Sequence, residues 1–91
     1  FYKVIEDMAR AGEKLGLDYD KSLELATQTA IGSAKMVMQR GEIPVQTLID
    51  NVATKGGCTF VGISVMNDEH SDKLFYDVID QTTKKASELG K

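Results

Sequence analysis

The chain has 91 residues, 42% of them hydrophobic and 27% charged, with a net charge of −3. That length holds one domain, and the composition is ordinary for a globular protein. With no basic stripe and an acidic balance, nucleic acid is excluded as a partner, and apolar runs of only a few residues exclude a membrane-spanning helix. A domain this small buries only roughly 60% of the surface its unfolded chain exposes, so association with a second copy would relieve a marginal core. The one cysteine permits no intrachain disulfide and suits a reducing, cytoplasmic compartment. "FYKVIEDMAR" turns polar within three residues, unlike a signal peptide. Phe1 opens the chain in place of Met, and the residues after it are already helix-like, so a piece of a longer protein is expected.

Val4, Ile5, Met8, Ala11 and Leu15 recur at three- and four-residue intervals, the stripe of an amphipathic helix that Gly16 ends. A second helix is expected to start near Asp18 to Asp20, where acidic residues suit the positive end of the helix dipole. Its face is Leu23, Ala26, Ala30, Ala34 and Val37, and Gly41 stops it. The middle of this helix, "ATQTAIGSAKM", is rich in small residues, and small side chains let a second helix approach closely. Pro44 fits the first turn of a third helix, with Ile43, Leu48 and Val52 as its buried face. After a glycine loop, Thr59 is the expected cap of a short fourth helix through Met66. "NDEH" breaks the pattern, Ser71 is the expected cap of the last helix, and Leu74, Phe75, Val78, Ile79, Thr82, Ala86 and Leu89 stripe it as far as Gly90. No segment alternates like a strand and nothing repeats, so the fold class is all-α with five helices.

The loop "ATKGGCTFVG" is the one place where chemistry is legible. It is no phosphate loop, because Lys55 precedes the glycines instead of following them, and no G-x-G-x-x-G after a strand is present. Two readings stay open on the residues alone. One is a plain connector. The other is anion capture, in which Gly56 and Gly57 bare backbone N–H groups that converge with those of Cys58 and Thr59 at a helix N-terminus. Thr59 adds a hydroxyl that both donates and accepts. Cys58 at such a position invites a nucleophile reading, but His70, the only histidine, lies twelve residues on and no pairing is evident. A small side chain at a tight spot is the simpler account of Cys58. One His and one Cys do not make a metal site. Asp68 to Asp72 reads as a charged surface turn, and the four methionines as helix packing.

"IPVQTLIDNVATKGGCTFVGISVMN" resembles the signature segment of pyrroline-5-carboxylate reductase. Pro44, Leu48, Val52, Ala53, Thr54, Gly56, Gly57, Thr59, Gly62, Ile63 and Met66 carry the likeness, with "LATQTAIGSAKMV" and "TKKASELGK" extending it over the whole chain. The resemblance implies that residues 1–91 are the helical dimerisation domain of a two-domain NADPH- or NADH-dependent enzyme, its Rossmann domain lying outside this chain. The implied fold is an interleaved helical dimer of the 6-phosphogluconate dehydrogenase C-terminal type, and the implied partner is a second copy, alone or within a larger assembly. The implied reaction reduces 1-pyrroline-5-carboxylate to L-proline. By the same resemblance, Thr54, Gly56, Gly57, Cys58 and Thr59 line the substrate site, and backbone N–H groups of Gly57, Cys58 and Thr59 receive the carboxylate. The Thr59 hydroxyl assists protonation of the ring nitrogen, and Asn51 touches the cofactor. Lys55 departs from the family, many members of which have proline there. This domain by itself is expected to be inactive. The alternative is a non-catalytic dimerisation module of a related dehydrogenase-like protein, acting on another small acid or on none.

Overall fold

A computed structural model describes residues 1–90 of the chain. Five α-helices follow in order: α1 (Tyr2–Lys14), α2 (Tyr19–Met38), α3 (Val45–Val52), α4 (Cys58–Asp68) and α5 (Ser71–Leu89). No strand occurs among the described residues. The all-α reading with five helices is therefore what the described residues form. The helices divide between two compact units, the first Phe1–Val45 and the second from Gln46 onward.

In the first unit α1 and α2 pack as a helical hairpin. Its turn is a Schellman closure: Gly16 N–H donates to the Glu13 carbonyl at 3.1 Å and Leu17 N–H to the Gly12 carbonyl at 3.0 Å. Gly16 holds φ at +110°, which a side chain would resist, so the expected stop at Gly16 is observed. The Asp18 carboxylate then accepts from Lys21 N–H at 3.3 Å and caps α2, as its acidic start suggested.

The seam between the two helices is made of small residues. Ala9, Ser22 and Ala26 are its buried side chains. Gly12 lies directly against Ser22: a Cβ built on Gly12 would stand 3.1 Å from the Ser22 Cβ and collide with its hydroxyl. This corrects the expected stripe of α1. Val4 and Ile5 are half-buried, but Ala11 and Leu15 are exposed, and the contact face runs through Ala9 and Gly12. Close approach of two backbones favours small side chains, and a count of large apolar residues passes over them. On α2, Leu23, Ala30 and Val37 are half-buried and Ala26 is buried, whereas Ala34 is exposed. Within the small-residue stretch, the space a Cβ on Gly32 would occupy is open.

In the second unit α3 follows directly on Pro44. Its half-buried residues are Leu48 and Ile49, while Val52 is exposed and Ile43 lies outside the helix, also exposed. Helix α4 is longer than expected and runs on through Asn67 and Asp68. His70 then adopts a left-handed conformation (φ 56°, ψ 54°) and takes the cap position of α5, so Ser71 is the first helical residue and caps nothing. Along α5 the carboxylates and lysines pair within the helix, Lys73 with Asp77 at 2.8 Å and Lys84 with Asp80 at 3.1 Å. Such exposed i,i+4 pairs are worth only a few tenths of a kcal/mol each, roughly 0.3–0.5. No side chain of α3, α4 or α5 is buried.

Candidate functional site

The glycine loop joins α3 to α4 within the second unit. Ala53 N–H donates to the Ile49 carbonyl at 2.9 Å, carrying the helical pattern one residue past Val52. The chain then reverses over Thr54, Lys55, Gly56 and Gly57, closed by a bond from Gly57 N–H to the Thr54 carbonyl at 2.9 Å. Gly56 holds φ at +84°. A closing bond of this kind with positive φ at the third residue is a type II β-turn, which glycine enters without strain. Lys55 occupies the second position, where proline is common in type II turns.

Gly57 is constrained by space as well. A Cβ there would stand 3.0 Å from the Thr54 hydroxyl oxygen and 3.2 Å from its carbonyl oxygen. Either distance is too close for comfort, so glycine lets the turn fold directly back onto α4.

Gly57, not Thr59, is the N-cap of α4, with extended backbone (φ −92°, ψ 170°) and no side chain capping the helix. The first bond of the helix runs from Val61 N–H to the Gly57 carbonyl at 3.3 Å. The N–H groups of Cys58, Thr59 and Phe60 therefore precede any intrahelical acceptor and remain open at the positive end of the helix dipole. The turn consumes the Gly57 N–H, and Phe60 supplies an open N–H that the residue pattern did not single out. The signal available in the sequence was the glycine at position 57, since glycine is a common N-cap that brings no capping side chain.

Of the residues expected at the site, Asn51, Thr54, Gly56, Cys58 and Thr59 are exposed and Gly57 is half-buried. Thr59, at the second position of α4, has a hydroxyl free of any capping duty. Asn51 lies in the last turn of α3, and Lys55 is exposed on the turn between it and Thr59. Cys58 is an exposed free thiol at the first turn of α4. His70 follows the other end of that 11-residue helix, about 16 Å away along an axis rising about 1.5 Å per residue. The two do not meet within the chain. Among the described residues no three His, Cys, Asp or Glu side chains gather to hold a metal ion, and no helix is long and apolar enough to cross a membrane. Chemically, the arrangement offers a short row of N–H donors at a helix start, with the exposed residues Lys55 and Thr59 in the same loop, which suits a small anion.

The family description "Pyrroline-5-carboxylate reductase dimerisation" matches residues 1–89. The chain belongs to this family. Pyrroline-5-carboxylate reductases from Pasteurella multocida and Glycine max are 29% and 38% identical to it over 100% and 97% of its length, covering 33% and 32% of those proteins. Pyrroline-5-carboxylate reductase 1 of Bacillus subtilis is 32% identical over 98% of the chain and 30% of its own length. Among solved structures, Plasmodium falciparum pyrroline carboxylate reductase with NADP bound superposes with a TM-score of 0.91 at 32% identity, covering 99% of this chain and 34% of that one. The chain thus has the fold of a pyrroline-5-carboxylate reductase dimerisation domain, and it spans about a third of the length of the relatives it matches.

Proposed function

We propose that this chain supplies the dimer interface and the substrate-carboxylate loop of an NADPH- or NADH-dependent reductase that converts 1-pyrroline-5-carboxylate to L-proline. The observation that carries this reading is the family match over residues 1–89, and the uncapped N-terminus of α4 at the glycine loop supports it. The substrate is a cyclic imine bearing a carboxylate. Its carboxylate would sit at the start of α4 on the N–H groups of Cys58, Thr59 and Phe60, with Gly56 and Gly57 shaping the turn and Thr54 at its rim. A carboxylate held there is favoured by both the unpaired donors and the dipole. The Thr59 hydroxyl would then face the ring nitrogen and assist its protonation as hydride reaches the imine carbon.

The nicotinamide cofactor supplies that hydride when bound. Asn51 is the residue of this chain assigned to touch it, and the rest of the dinucleotide site is assigned to a Rossmann domain elsewhere in the full protein. Support for a nicotinamide cofactor comes from the Plasmodium falciparum relative, whose structure has NADP bound. The partner is a second copy of the chain, alone or within a larger assembly, and the site of action is the cytoplasm, which suits the free thiol of Cys58. Dimerisation is supported by the family description and by the exposure of Leu74, Phe75, Val78 and Ile79 on α5. Obligate interfaces of this kind bury about 2,000 Å² or more.

The test is an assay of the full-length protein with pyrroline-5-carboxylate, following oxidation of NADPH and of NADH. Stoichiometric formation of proline is the expected result. A folded, dimeric full-length protein that forms no proline with either nucleotide would overturn the reading and leave a dimerisation module without this activity.

A further inference from the structure

We draw no further inference here: the strongest candidate, the exposed apolar row of α5 with the groove along Thr82, Ala86 and Leu89, restates the dimerisation that the family already carries, and nothing in the structure shows what else would cover it.

Discussion

The first unit has a seam with buried side chains, and no helix of the second unit has one. Between α1 and α2, small side chains do the closing: Gly12 against Ser22, with Ala9 and Ala26 on either side. The rim of that seam is fastened by polar contacts, the Tyr19 hydroxyl donating to Glu6 at 2.6 Å and the Arg10 guanidinium lying 4.1 Å over the Tyr19 ring. In the second unit the helices carry larger apolar side chains and leave them in solvent: Phe60, Val61, Val65 and Met66 on α4, and Leu74, Phe75, Val78, Ile79 and Leu89 on α5. The difference teaches where each unit's apolar surface is spent. Small residues bring α1 and α2 together, and the larger apolar side chains of α4 and α5 stay exposed. Scattered exposed hydrophobics need no explanation, but a contiguous helical row of them marks an interaction face.

The largest expected effect comes from breaking that outward row. Phe75→Asp should weaken self-association by at least a hundredfold in dissociation constant. Burial of one phenylalanine is worth about 1.5–3 kcal/mol, and in a two-fold dimer each loss counts twice. Sedimentation velocity across a concentration series measures it, and an unchanged dimer would remove α5 from the interface.

Next comes the inward seam. Gly12→Val should destabilise the protein by about 1–3 kcal/mol, because the added branches have no space beside Ser22. A lone helical glycine usually costs about 1 kcal/mol relative to alanine, so replacing it would help if the seam were loose. Denaturant unfolding decides the sign.

A smaller effect, of opposite sign, is expected in the loop. Lys55→Pro should stabilise by about 0.4–1 kcal/mol, since proline fits the second position of a type II turn and restricts the unfolded chain. The melting temperature should rise modestly. A fall would mean that the Lys55 backbone is not in the turn conformation inferred from Gly56.

The smallest effect concerns the rim of the hairpin and has a pH signature. Its hydrogen bond to Glu6 raises the Tyr19 pKa above the ordinary tyrosine value, with Arg10 opposing. The contribution is therefore fully present below the unfolded tyrosine pKa and is lost as the pH rises through the higher folded value. Tyr19 is only half-buried, so the loss is slight. Tyr19→Phe should remove this alkaline component from the stability profile while leaving the neutral-pH fold intact.

Much of this architecture is written in the residues. Three- and four-residue spacing of apolar positions announces each long helix, and Asp18, Gly16 and Gly90 stand where caps and stops are observed. What spacing missed follows from the physics of close contact. Ala9 and Gly12 form the tight face of α1 because they are small, and a hydrophobic stripe weights Met8 and Leu15, which are exposed. The caps were misplaced for a related reason. Thr59 and Ser71 have capping side chains, but Gly57 and His70 take the positions through backbone conformation alone. At the candidate site, the glycine loop and its threonines were legible from Thr54 to Thr59. The commitment of the Gly57 N–H to the turn was not, because a donor's partner depends on how the chain folds back.

The most direct measurement is the steady-state kinetics of the proposed reduction for Thr59→Val beside Thr59→Ser in the full-length protein. Valine keeps the shape and the backbone N–H, so carboxylate capture and KM should change little. General acid assistance is typically worth about 10²- to 10⁴-fold, so a fall in kcat of at least about tenfold is expected for the valine variant. The serine variant, which keeps a hydroxyl, should stay close to the unsubstituted enzyme. Because Thr59 caps nothing, neither change should cost much stability, and melting curves verify that. A folded Thr59→Val enzyme with unchanged kcat would contradict the assignment of the Thr59 hydroxyl to proton transfer.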